Sequence, residues 1–423
     1  MSRARRSAVV AVVALALLVG GCGRWVPEPT PPSPSPTPTR APVAEPTPTP
    51  TPQPLTPEDF LERAAWVHLF DDALKTREGI RRVVAELAGA EATAIVAEVV
   101  RRQDAYYDSE VLAPTADPAL EPGLDVLAVL VEEAHAAGLE VHAWIPVAPT
   151  WHESYVGLPA PDGWLTAEHG LNAPEADRWV TRTFDGTWDT YLDPGLPEVR
   201  AHAAAVAGEI AAGYDVDGIH LDYVRYASER HGYHPRALAR YQQETGATGT
   251  PAPDDPAWSD WRRDQVTELA RAAAAAVDAS GSPAMLSVAV ISWGEGPGGP
   301  TTSSFAETRA YTEALQDWAA WAETGLVDVI MPMNYFREAK PDQAAWLRTW
   351  LVYQEQLAAR TGTRIVPGIA GYLNSPSDAL TQVGLAMASS GAAAMYSYQG
   401  STSDPAFPLW ADLAATGWGT TPR

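Results

Sequence analysis

Val216-Asp217-Gly218-Ile219-His220-Leu221-Asp222 reads as a short strand that ends in a carboxylate. Side chains alternate along a strand, so Ile219 and Leu221 share one face while Gly218, His220 and Asp222 share the other. Comparable apolar, β-branched runs recur on both sides of it. They fall at 65–70, 93–100 and 139–147 upstream, and at 285–291, 327–333, 364–369 and 392–398 downstream. Helical patterns separate them. The spacing predicts helices near 77–89, 123–137, 197–213 and 258–278. In the second, Leu127, Leu130, Val131 and Ala134 share a face and Gly138 marks the stop. The third opens with Pro197 and would turn Val199, Ala203, Val206 and Ile210 inward. Apolar strands between such helices predict a parallel sheet covered by helices. Eight units in one run predict an α/β fold of the (β/α)8 TIM-barrel type, a single large domain over 58–423. The alternative is an open, doubly wound sheet. No glycine-rich phosphate loop follows the first strand, which removes the nucleotide-binding version of that alternative.

Barrels of this kind build their sites at the C-terminal ends of the strands. The second strand runs into Arg101-Arg102-Gln103-Asp104-Ala105-Tyr106-Tyr107, and the third carries His142-Ala143-Trp144 before a long loop over 148–194. The fourth continues as Asp222-Tyr223-Val224-Arg225-Tyr226, the fifth as Ser292-Trp293-Gly294-Glu295-Gly296. The sixth ends in Met333-Asn334-Tyr335 and the eighth in Tyr396-Ser397-Tyr398-Gln399. Sugars present apolar C–H faces and many hydroxyls, so aromatics beside polar groups suit them. Asp222 would point into the barrel mouth and is the sharpest catalytic candidate. Its structural alternative is pairing with Arg225 or capping the next turn.

Glycoside cleavage normally takes two carboxyls. Glu98 and Glu295 are the other catalytic candidates. A carboxyl buried at Glu98 would have a raised pKa, as a general acid requires, unless an arginine ties it up. Glu295 lies in a glycine-rich loop that is either a lid or merely flexible. His142 and His220 read equally as substrate contacts or core histidines. Arg102 and Asp104 read equally as binding residues or a loop ion pair. No paired ligands occur at helical spacing, so no metal or other cofactor is expected.

The N-terminus has its own logic. Arg3, Arg5 and Arg6 precede an apolar run, Ala8 to Leu18, too short to span a bilayer. Gly20-Gly21-Cys22 then presents the only cysteine of the chain, so no intrachain disulfide can form. This arrangement resembles the lipobox of bacterial lipoproteins. The resemblance implies a signal peptide over 1–22 and a diacylated Cys22, and two acyl chains suffice for stable membrane anchoring. An ordinary signal peptide is the alternative. Residues 23–57 are rich in Pro and Thr and predict an extended, coreless linker. It could reach on the order of 100 Å. A net charge of −24 argues against nucleic-acid binding.

Four stretches carry a more specific signal: Arg102 to Ser109, Glu133 to Trp144, Leu192 to Arg200, and Tyr214 to Tyr223. In order and content they resemble the glycosyl-hydrolase-like 10 family, formerly domain of unknown function 187. The resemblance implies a glycosidase-type barrel, and a lipoprotein member of the family acts on peptidoglycan strands stripped of peptides. It implies a polysaccharide substrate, with Asp222 catalytic or substrate-contacting and Arg102, Asp104, His142, Trp144, Asn334 and Tyr335 in the cleft. His220, Tyr223 and Arg225 complete the candidate binding set. Tyr223 stands where many members have a second aspartate, so the partner carboxyl is not given by the resemblance. Val224 replaces the glutamate of chitinase-type strands, which disfavours that mechanism and leaves substrate-assisted cleavage open. The expectation is therefore a hydrolase of an amino-sugar polymer, anchored in the bacterial cell envelope. A non-catalytic glycan-binding lipoprotein on a decayed barrel is the alternative, and a structural wall tether a third reading.

Overall fold

Eight parallel strands close on themselves. They are β1 (Arg63–Val67), β2 (Ala94–Glu98), β3 (Glu140–Pro146), β4 (Gly218–Asp222), β5 (Met285–Ile291), β6 (Val329–Asn334), β7 (Arg364–Ile365 and Gly368–Ala370) and β8 (Ala393–Tyr396). Each pairs in parallel with the next, and β8 pairs back onto β1 with Tyr396 opposite Trp66. This computed structural model describes residues 61–150, 165–402 and 409–419. The expected signal peptide with Cys22 and the linker over 23–57 lie outside the described residues. The open-sheet alternative is overturned by the β8–β1 pairing.

The helices between strands are α1 (Arg77–Gly89), α2 (Val126–Ala136), α3 (Pro197–Gly213), α4 (Pro256–Ser280), α5 (Trp318–Thr324), α6 (Pro341–Thr361), α7 (Pro376–Ser390) and α8 (Leu409–Thr416). Their starts are dictated locally. Thr76, Asp125, Asp255, Asp317 and Ser375 each accept a hydrogen bond from a first-turn N–H, and proline opens α3, α4, α6 and α7, where its missing N–H goes unmissed. The long loop after β3 is partly built. It holds a short helix, Leu165–His169, and an antiparallel hairpin of Val180–Arg182 with Trp188–Leu192. A further helix, Pro235–Thr245, precedes α4. Strand β7 breaks around Pro367, which has no N–H to give a ladder. Among the described residues no helix is long and apolar enough to cross a membrane.

Nearly every strand residue is buried, because one face meets the helices and the other fills the barrel. Ile95, Ala97, Val141, Ala143, Ile219 and Leu221 pack outward, whereas Ala64, Trp66, Ala94, Val96, Trp144, Met331 and Ala394 pack inside. Polar groups also enter the barrel, and most of their atoms find partners, although His142 Nδ1 and Glu140 Oε1 have none. His142 donates or accepts at Nε2 with the Glu140 carboxylate, 3.1 Å away, and the Leu61 N–H reaches that same oxygen. On the facing strand, a Cβ at Gly218 would lie 2.0 Å from His142 Nδ1, so no larger residue fits there. The Trp66 indole donates to His220 Nε2 at 3.2 Å. An indole N–H can only donate, so the ring proton of His220 sits on Nδ1 and is given to Ser287 Oγ at 2.8 Å. Burial pushes His220 down to about 3, with the neighbouring His142 adding to it, so the ring is neutral. Ser287→Ala strands that buried N–H. We expect a loss of about 1–3 kcal/mol in unfolding free energy, read from a denaturant titration.

Candidate active site

The inward face of β4 carries Asp222 to the barrel mouth, where it lines a pocket of about 510 Å³. Glu98 comes to the same pocket from β2. The strand register fixes their relation. Glu98 pairs through Trp144 with His220, and Asp222 pairs with Pro146, but the tilted strands of a closed barrel slip by about one residue per strand, which brings Glu98 of β2 and Asp222 of β4 to the same height on alternate strands. Glu98 Oε2 accepts the Leu69 N–H at 2.6 Å. Burial pushes its carboxyl up to about 7; the Leu69 N–H and Arg101 oppose this, and Asp222 and Asp104 add to it. Burial also raises Asp222, to about 6, against the opposing pull of Arg225, the Tyr223 N–H and the Trp144 indole. Asp222 Oδ1 accepts from Tyr223 N at 2.7 Å and Oδ2 from Trp144 Nε1 at 3.2 Å. Neither carboxyl forms an ion pair within 4 Å among the described residues, so neither is tied up by an arginine. Two carboxyls whose settings hold one near 7 and the other near 6 can divide the roles of proton donor and ionised partner.

The remaining lining falls into two arcs. From β6 round to β1 it is aromatic: Tyr396 lies 5.2 Å from Tyr335, 5.9 Å from Tyr372, 6.1 Å from Trp66 and 6.2 Å from Trp144, centroid to centroid. Phe70 and Tyr372, 58% and 53% exposed, stand at the rim as open ring faces. From β2 to β5 it is basic. Arg101 sits 4.4 Å from the Phe70 ring centre, and Arg225 lies near both Tyr223 and Trp293, at 4.9 and 5.4 Å. Arg309, held by both oxygens of Glu313, meets the Trp293 ring as well.

Arg102 is placed by backbone geometry. Val100–Arg101 and Asp104–Ala105 pair as a two-residue hairpin, and Arg102 and Gln103 both adopt left-handed φ, +56° and +64°. Two consecutive positive φ values give the tight turn that follows strand twist. Gln103 is retained there because its amide donates to the Pro146 and Pro149 carbonyls and accepts from His202. Arg102 is 2% exposed and donates to Asp104 at 2.6 Å.

Of the residues singled out from sequence, the structure brings Glu98, Arg102, Trp144, Asp222, Tyr223, Arg225 and Tyr335 to one pocket. The others lie elsewhere. His142 and His220 are completely buried in the barrel interior beneath the lining. Asp104 is sealed behind Arg102. Asn334 points outward from β6, where it and Gln354 of α6 form a reciprocal amide pair at 2.9 and 3.2 Å. It shares strand parity with Ile330, so its side chain meets the helix layer. Glu295 is exposed and outside the lining, although Trp293 and Gly294 beside it belong to it. Trp66, Phe70, Arg101, Tyr372 and Arg309 were not singled out. Trp66 alternates with Ala64 and could have been found by parity, and Tyr372 follows β7 as the other site residues follow their strands. Arg309 arrives from well beyond β5 and has no local signal. Among the described residues no group of three His, Cys, Asp or Glu side chains could hold a metal ion.

Comparison with known proteins agrees on the family and the fold. The family model described as glycosyl hydrolase-like 10 matches residues 62–380. Glycosyl hydrolase DigH of Escherichia coli K12 is 27% identical over 259 residues, 59% of this chain and 55% of the relative. Glycosyl hydrolase YngK of Bacillus subtilis is 27% identical over 252 residues, 57% and 46% of the two chains. The match thus spans about half the length of each relative. Among solved structures, the PgaB (BpsB) glycoside hydrolase domain from Bordetella bronchiseptica superposes with a TM-score of 0.56 at 15% identity, over 86% of this chain and 99% of that one. The catalytic domain of a β-amylase from Paenibacillus polymyxa gives 0.58 at 10% identity, over 80% and 93%.

Proposed function

The chain belongs to the glycosyl hydrolase-like 10 family, and on that premise we propose that it is a glycoside hydrolase that cleaves an amino-sugar polymer of the bacterial cell envelope. Peptidoglycan glycan strands are the substrate we put first. One observation carries the reading: two carboxyls free of ion pairs, Glu98 and Asp222, line one pocket whose opposite wall is aromatic. A sugar stacked on Tyr396, Tyr335 and the open faces of Phe70 and Tyr372 presents its ring edge toward both carboxyls. Glu98, which keeps its proton up to about 7, donates it to the departing glycosidic oxygen. Asp222, already ionised there, stabilises the oxocarbenium-like centre as nucleophile, as base toward water, or by orienting the substrate's own N-acetyl group. Placement in the envelope is supported by the order of leader, Cys22 and Pro/Thr-rich linker ahead of the barrel. We propose that Cys22 is acylated and that the linker holds the barrel away from a membrane.

The test is release of reducing ends from purified, peptide-free glycan strands, with fragments identified by mass spectrometry. Activity is expected to follow a bell in pH. It falls on the acid side as Asp222 gains a proton near 6 and on the alkaline side as Glu98 loses one near 7, so the optimum lies between. Binding with no new reducing ends from these strands, chitooligosaccharides or glucosamine polymers would make the protein a glycan-binding lipoprotein instead, the reading that Tyr223 in place of a second aspartate keeps open.

A further inference from the structure

The chain is strongly acidic, at −24 overall, yet its pocket is not. Among the described residues the lining holds four arginines, Arg101, Arg102, Arg225 and Arg309, against two carboxyls. Arg309 and Arg102 have carboxylate partners in Glu313 and Asp104. Arg101 and Arg225 have none within 4 Å among the described residues, and each keeps a buried Nε with no hydrogen-bond partner. Arg102 is the most telling. Its guanidinium is almost wholly buried, only one of its nitrogens is used by Asp104, and Nε and Nη1 meet no partner although the side chain forms part of the pocket wall. A buried guanidinium nitrogen left unpaired is costly, so a ligand that pairs with it gains what the free protein lacks.

The arrangement is one-sided. The arginines come from β2, β4 and β5, and the open aromatic faces come from β6, β7, β8 and the end of β1. A glycan lying on the aromatic arc would turn its substituents toward the arginines. Hydroxyls alone would not call for so many buried guanidinium nitrogens left without a partner in a protein this acidic, whereas a carboxylate supplies a charge and a forked acceptor that guanidinium matches. We propose that the pocket selects an acidic glycan, one whose sugars carry a carboxylate, and that Arg225 and Arg102 are the residues that read it. This rests on the pocket being the glycan site. It adds that the recognised polymer is anionic and names what distinguishes it from a neutral amino-sugar chain.

The test is a binding measurement on the Asp222→Asn protein, which removes turnover, using three probes of equal length. These are peptide-free strands alternating N-acetylglucosamine with N-acetylmuramic acid, the same strands with their carboxylates methyl-esterified, and a neutral chitooligosaccharide. Expected is at least tenfold tighter binding of the acidic strands than of either other probe. In the background of Arg225→Gln that ratio should fall about tenfold, with the thermal midpoint unchanged. Arg102→Gln leaves Asp104 unpaired and can unfold the hairpin, so Arg225 is the variant that decides. Equal affinity for acid and ester, or a ratio indifferent to Arg225, overturns the proposal. Its failure is separable from that of hydrolysis. Wild-type enzyme that cleaves acidic and neutral strands alike defeats the selectivity and leaves the activity. A preference for acid without reducing ends defeats the activity and leaves the selectivity.

Discussion

Asp222→Asn is expected to lower kcat on glycan strands about 10³-fold, within the range that a positioned acid–base or nucleophilic group contributes, while the protein stays folded and keeps much of its affinity. The substitution conserves shape. What it removes is a negative charge at the strand tip, in the pocket that Glu98 also lines. The Trp144 indole and the Tyr223 N–H both donate to this carboxyl, one to each oxygen, and an amide can accept from only one of them. That lost hydrogen bond is offset by no longer having to bury an ion. Affinity should persist because it comes from aromatic faces and arginines that the change does not touch. Steady-state kinetics beside a thermal melt check the expectation. A kcat within tenfold of wild type would remove Asp222 from the chemistry, whatever the pocket binds.

Glu98→Gln should move activity and stability in opposite directions. Turnover is expected to fall 10²- to 10⁴-fold, because an amide cannot protonate the leaving oxygen. Stability should rise, and the sign follows from linkage. The carboxyl titrates near 7 when folded and near 4.5 when unfolded, so the folded chain holds more protons between those values. Wild-type stability therefore falls as pH rises from about 4.5 to about 7, by about 3 kcal/mol in all. Glutamine does not titrate and still offers an oxygen to the Leu69 N–H. The variant should match wild type in acid and exceed it above neutrality, as read from denaturant midpoints at pH 4 and 8. Equal midpoints at both pH values would show that Glu98 is not the strained, proton-holding group described here.

The barrel was legible because its strands are buried on both faces. The 285–291 strand and the helices over 77–89 and 197–213 were read to the residue, since β-branched runs and proline or threonine starts are local signals. Most other strand ends are drawn in by one to three residues, where the apolar run extends beyond the ladder, as at Val216 and Val327, whereas β1 starts two residues before its expected run and β6 and β7 end one residue after theirs. The site was only half legible. Glu98, Asp222 and Trp144 follow from alternation on an inward face. Asn334 did not, because β6 ends on an outward residue and its helix partner, Gln354, is twenty residues away. Glu295 shares a loop with Trp293, but only the latter turns inward. Arg309 is set by tertiary packing on Trp293, which no periodicity encodes.

The two left-handed residues after β2 have a thermodynamic implication. A hairpin wound through Arg102 and Gln103, and stitched to the Pro146 and Pro149 carbonyls, presents its guanidinium before any sugar arrives. The entropy of fixing that side chain is spent during folding and does not reappear in the dissociation constant. Association through this wall should accordingly be fast and free of a slow ordering phase, a lock cut to shape in advance rather than one that sets around its key.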